Sequence, residues 1–133
     1  MKKRFLILLF LISMSIFFKI PEYVELNNLA IIEGIGVSYN NNHYTVYLKE
    51  IIPTKDNLGI NYKYNYYKED GKTIKTTLKK LQKKTKKKLY LSRAKFLITN
   101  KKTSSKILKD LNLNIKYIYH TKSDIYKKLK TTT

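Results

Sequence analysis

Two histidines, nine carboxylates and no cysteine are the pool from which any catalytic or metal site here would be drawn. The missing thiol excludes disulfide staples, Cys-ligated zinc, iron–sulfur clusters, a thiol nucleophile and a lipid-modified cysteine. His43 and His120 leave little room for a His-based metal site. Glu25, Glu33 and Glu50 are the candidates for acid–base work, yet no spacing pairs any two of them, and exposed salt-linked glutamates are expected. His43 in a turn and His120 at a strand end read as partly exposed surface residues. No G-x-S-x-G elbow accompanies the many serines and threonines. Gly34-Ile35-Gly36 begins like a dinucleotide fingerprint, but Tyr39 stands at the third glycine position and no helix follows. Gly71-Lys72-Thr73 ends like a phosphate loop, but Tyr66 stands where its first glycine belongs, so Gly71 reads as a turn before a helix N-terminus. No catalytic residue, cofactor-binding residue or metal ligand is assigned, and the chain is not expected to be an enzyme.

Charge and aromatic content are more informative. The 133 residues carry 28 Lys+Arg against 9 Asp+Glu, a formal net charge of +19. Residues 1–70 hold 8 basic and 7 acidic side chains; residues 71–133 hold 20 basic and only Asp110 and Asp124. Such a half attracts anionic surfaces, nucleic acid or acidic lipid. Only Arg4 and Arg93 supply the bidentate fork that phosphate and base recognition favour. A solvated lysine face in an Asn-, Ile- and Tyr-rich chain, as an AT-rich genome imposes, explains the charge equally well. The twelve tyrosines could stack single-stranded bases, but Tyr62, Tyr64 and Tyr66 alternate and fit one side of an amphipathic strand better. The lysine run over residues 83–88 suits a helix C-terminus and could also touch acidic lipid headgroups.

A hydrophobic content of 43% excludes a disordered chain, and the length fits one compact domain. Residues 29–39 read as a strand and 40–42 as a turn. Residues 44–52 form the hairpin partner, stopped by Pro53, and residues 60–67 form a third strand before a Glu69-Asp70-Gly71 turn. From Thr73 the period becomes helical, with Ile74, Leu78 and Leu81 on one stripe. Residues 89–99 read as one strand with Ala94, Phe96 and Ile98 on one face. Thr103 or Ser104 caps a helix carrying Ile107, Leu108 and Leu111, and residues 115–120 form another strand. Ser123 caps a last helix with Asp124 in its first turn. The expectation is an α/β (α+β-like) fold in the order βββαβαβα, a mixed sheet of about five strands with three helices. It spans residues 29–130 after a linker at 21–28, with a frayed tail at 131–133.

The N-terminus reads as a targeting segment. Met1-Lys2-Lys3-Arg4 is a basic n-region, and residues 5–18 are apolar except for Ser13 and Ser15. At 1.5 Å per residue this run spans about 21 Å, short of the ~30 Å hydrocarbon core. It fits a signal-peptide h-region; extended to Ile20 with Lys19 snorkelling, it fits a short membrane anchor. Residues 1–20 are therefore a signal peptide or anchor, with the rest of the chain on the outer side of the cytoplasmic membrane.

Two blocks resemble a known family. Residues 25–37, Glu-Leu-Asn-Asn-Leu-Ala-Ile-Ile-Glu-Gly-Ile-Gly-Val, resemble the start of the mature N-terminal domain of the Ger(x)C family, the C subunit of spore germinant receptors. Gly71-Lys72-Thr73-Ile74, then Leu81 and Lys88-Leu89-Tyr90-Leu91 through Ile98-Thr99, resemble its "Gly-Lys-Thr" helix and following strand. Residues 112–119 and Ser123 fit its next strand and helix, so the resemblance covers about residues 22–130. Family members are lipoproteins, but no Cys stands near Lys19 to Pro21, so lipid anchorage does not carry over. Ser92-Arg93 replaces the family's Gly-His. Full-length members have three domains, and this chain corresponds to the first. The resemblance implies a non-catalytic accessory protein of a nutrient germinant receptor in the spore inner membrane. It would act through contacts with the receptor's integral membrane subunits, with lipid headgroups as a further partner and nucleic acid the weaker alternative.

Overall fold

The computed structural model describes residues 26–57, 59–100 and 104–132; the apolar run at 5–18 and the anchor expected of residues 1–20 lie outside them. A 3-10 turn, Leu26–Asn28, leads into β1 (Leu29–Asn40), β2 (His43–Asp56) and β3 (Gly59–Gly71). There follow α1 (Ile74–Thr85), β4 (Lys88–Tyr90), a second 3-10 turn (Leu91–Arg93) and β5 (Phe96–Thr99). The described chain closes with α2 (Ser104–Leu111), β6 (Tyr117–His120) and α3 (Ile125–Thr131). Six strands make one mixed sheet in the order β3-β2-β1-β5-β6, with β4 also paired to β1. The fold is the expected α+β arrangement with three helices and one strand more than the pattern implied.

Asn41 and Asn42 join β1 to β2 with φ of 47° and 61°, the two left-handed positions that a type I′ hairpin turn requires and that Asn tolerates. Pro53 does not stop β2. The last β1 partner is Ile32↔Glu50, so Pro53 lies where β2 has lost that neighbour and a missing N–H is tolerated. Glu69-Asp70-Gly71 is strand rather than turn: Asp70 pairs with Thr45, whose hydroxyl donates to its carboxylate at 2.5 Å, and Gly71 pairs with Tyr44. Gly71-Lys72-Thr73 instead leads into a capping box, in which Thr73 Oγ1 accepts from Thr76 N at 3.1 Å and Thr76 Oγ1 accepts from Thr73 N at 3.3 Å.

The single strand expected over 89–99 is broken. Tyr90 pairs with Ile31 and Phe96 with Gly34, so six steps of chain must match three on β1, and the surplus coils into the second 3-10 turn. Ala94 consequently packs on the opposite face of the sheet from Phe96 and Ile98. Asp124, not Ser123, caps α3, accepting from Tyr126 N at 2.9 Å. At the chain's end, Thr131 belongs to α3 and the N–H of Thr132 donates to the Lys128 carbonyl.

The two faces of the sheet are covered unequally. On one, the helical face, α1 and α2 bury Ile74, Leu81, Ile107 and Leu111 against Ile32, Ile35, Val37, Val46, Leu48 and Leu97. Each such side chain contributes about 1.5–3 kcal/mol by leaving water. On the other, the open face, α3 buries Ile125 and Leu129 against Phe96 and Ile98. Gly34 and Gly36 of β1 make that approach possible. A Cβ on Gly34 would meet the Phe96 ring at 2.3 Å, and one on Gly36 would meet Ile125 Cγ2 at 2.6 Å.

Candidate functional site

Between Ile32 and Gly34, β1 takes two steps while β2 takes one, Glu50 to Lys49. The extra residue is Glu33, a β-bulge that turns its side chain onto the open face beside Lys49. Glu33 is 5% exposed and Lys49 1%. Lys95 Nζ donates to Glu33 Oε1 at 3.0 Å, while Oε2 lies 3.3 Å from Lys49 Nζ, at ion-pair distance but without a hydrogen bond. Lys49 Nζ spends its best hydrogen bond elsewhere, on the Thr132 carbonyl at 2.7 Å just past α3. Its ammonium also sits 4.3 Å from the Tyr64 ring centroid. The cation thus ties β1, β3 and the end of α3 to one point.

Glu50, the next residue on β2, is 1% exposed and faces the helical side. Lys87 Nζ donates to its Oε1 at 2.9 Å, and Tyr67 Oη donates to its Oε2 at 2.7 Å. Burial, and then the hydrogen bond to Glu50, push the Tyr67 phenol above its ordinary pKa. Glu33 and Glu50 are therefore not the exposed glutamates expected. They are buried on opposite faces of the sheet, Glu33 between two lysines and Glu50 between Lys87 and Tyr67, and are not a shared acid–base pair. Glu25 lies outside the described residues, while His43 and His120 are both exposed. No group of three His, Cys, Asp or Glu able to hold a metal exists among the described residues. Sequence reasoning missed the Glu33–Lys49–Lys95 cluster; its one signal was a carboxylate inside an otherwise apolar strand, next to a glycine.

The larger feature is what α3 leaves bare. Register places Ile51 opposite Tyr64, Pro53 opposite Tyr62 and Lys55 opposite Ile60, all on the open face. Across β1, Ile31 faces Tyr90, and Tyr117 and Tyr119 of β6 share a side with Phe96 and Ile98. Six large hydrophobic residues stand out as exposed among the described residues. Five of them, Ile60, Tyr62, Tyr90, Tyr117 and Tyr119, lie on this face; Ile118 is the exception. A groove of about 340 Å³ runs through its uncovered half, floored by Leu29, Ile31, Ile51 and Tyr90, with Glu33, Arg93 and Lys95 at its rim. Tyr62, Tyr64 and Tyr66 do form one side of a strand as expected; Tyr66 lies under α3, and Tyr62 remains 56% exposed.

Residues 22–119 match the model of the family described as spore germination protein N-terminal domain. The chain belongs to that family. The Ger(x)C resemblance carried by residues 25–37 and 71–99 is thereby confirmed, although the match ends at Tyr119, short of residue 130, and leaves α3 outside it. Neither the curated proteins nor the solved structures yield a match. As a spore germination protein domain, this chain has a role in germination, and its most exposed apolar surface is one sheet face rather than a polar cleft. No helix among the described residues is long and apolar enough to cross a membrane.

Proposed function

We propose that this germination domain is a non-catalytic accessory component of a nutrient germinant receptor. It is held at the outer face of the spore inner membrane by residues 1–20 and binds the receptor's integral membrane subunits through the open face. The observation that carries this reading is the gathering of exposed Ile60, Tyr62, Tyr90, Tyr117 and Tyr119 on one face. Exposed aromatic and aliphatic side chains on one sheet face fit a protein contact, and tyrosines are common anchors of such contacts. Both buried carboxylates are paired with lysine ammoniums, which fits a structural rather than a reacting role. A photo-crosslinking residue at Tyr62, in spore membranes, is expected to capture an integral membrane protein. The same residue at Lys79, on the solvent side of α1, is expected to capture none. Equal capture at both positions overturns the proposal.

A second reading, an anionic-surface or nucleic-acid binder, is favoured by Lys75, Lys79 and Lys83. They form one exposed stripe along α1 with no carboxylate partner among the described residues. Binding through that stripe would fall steeply with salt as counterions are released; salt-resistant capture at Tyr62 separates the two readings.

A further inference from the structure

Beyond its last β1 partner, β2 continues for six residues, 51–56, paired only with β3, so the hairpin overhangs by about 20 Å at ~3.3 Å per residue. The overhang carries exposed apolar side chains where a soluble hairpin would be polar. Ile60 is 68% exposed, the highest value among the large hydrophobic residues described, and Tyr62 follows at 56%. Exposed Lys55 and Lys63 flank them, and the one carboxylate there, Asp56, accepts a hydrogen bond from the Asn61 amide. Direction matters as much as composition. β1 runs antiparallel to β2, so its first residues lie beside the root of the overhang, where Leu29 and Ile31 share a groove wall with Ile51 and Pro53. The chain therefore arrives from residues 1–25, with their apolar run at 5–18, at the end of the sheet from which the hairpin projects.

We propose that the tip of the β2–β3 hairpin is a second membrane contact: Ile60 and Tyr62 enter the headgroup region of an anionic bilayer while Lys55 and Lys63 meet its phosphates. This rests on the membrane association proposed above. Tyrosine and lysine at an apolar tip are the residue types that settle at a membrane–water interface, and acidic lipid attracts nearby lysines. Two contacts at one end of the sheet stand it upright on the bilayer. The uncovered half of the open face, with Ile51 and Tyr90, is then held close to the membrane, where an integral membrane partner can reach it.

The chain has no cysteine, so single labelling sites are clean. Full-length Ile60→Cys and Lys122→Cys, each carrying a polarity-sensitive fluorophore, are mixed with vesicles of phosphatidylethanolamine and phosphatidylglycerol and then floated. Lys122 follows β6 at the opposite end of the sheet and serves as the control. The expected result is flotation of both proteins, with a blue shift and a several-fold rise in emission at position 60 alone. Flotation with a water-like signal at 60, or with equal shifts at both positions, overturns the tip contact and leaves the anchor standing. Failure of both proteins to float overturns the anchor and the tip contact together.

Discussion

The helical and open faces of the sheet bury side chains by different means. On the helical face, thirteen buried residues among those described, all aliphatic, form one continuous cluster with α1 and α2. On the open face the apolar cluster among the described residues is Phe96, Ile98, Ile125 and Leu129, and α3 is tied down by a charge, Lys49, whose ammonium reaches the Thr132 carbonyl. One face is stabilised by apolar area, whereas the other needs glycines to admit its helix and a buried cation to hold it. A face closed so sparingly has surface left for a partner.

Breaking the polar clamp should have the largest effect. Lys49→Met keeps the apolar stem but removes the ammonium near Glu33 Oε2 and the bond to Thr132. Leaving a buried charge short of its partner costs about 3–5 kcal/mol, read as a lowered denaturant midpoint. A loss no larger than that of an exposed Lys63→Met variant would show that the clamp is dispensable.

The glycines test the same comparison at the next magnitude. Gly36→Val places a branched side chain where Ile125 Cγ2 lies 2.6 Å from the Cβ position, and Tyr47 Cβ 3.2 Å from it. Overpacking of this kind costs about 1–3 kcal/mol. Because the clash is confined to the open face, α3 should become protease-sensitive while the helical-face core stays protected from hydrogen exchange. Uniform loss across both faces would show that the faces are not separable.

Much of this contrast was legible in the sequence, and the reasons are local. The Ile74, Leu78 and Leu81 stripe, the Asn turn and the alternating tyrosines each follow from one element's own period. Glycines at 34 and 36 inside a strand mark a bulge or a close approach, and the structure has both there. What failed to show were features set by a neighbouring strand. Whether Pro53 ends β2 depends on where β1 stops, and the break at residues 91–93 on how many β1 residues the chain must span. Burial of Glu33 depends on a bulge that aligns it with Lys49, sixteen residues away. The open face itself could not be read, because it is defined by how little of the sheet a seven-residue helix covers.

The smallest effect separates the faces through their tyrosines. Burial raises the phenol pKa of Tyr66, with Lys130 partly opposing, and raises that of Tyr67, with Glu50 acting in the same direction. A raised folded value means the native chain keeps the proton that the unfolded chain releases near its ordinary 10.0. Each tyrosine therefore supports the fold fully below that pH, and its support is lost as pH climbs beyond it. Tyr66→Phe and Tyr67→Phe should each flatten the alkaline decline relative to the parent, a difference in which the shared lysine titrations cancel. Tyr67→Phe also deprives Glu50 of a hydrogen bond, lowering stability at every pH, so the slope and not the offset is the readout. Each phenol is raised on balance despite one opposing influence, Asn65 at Tyr67 and Lys130 at Tyr66, so flattening is expected of both variants. Denaturant midpoints between about pH 9 and 11 decide the matter. Flattening by Tyr67→Phe alone would mean that the Tyr66 ring is not buried under α3 in solution, and that α3 is looser than its 5.6 Å contact between Lys130 and that ring indicates.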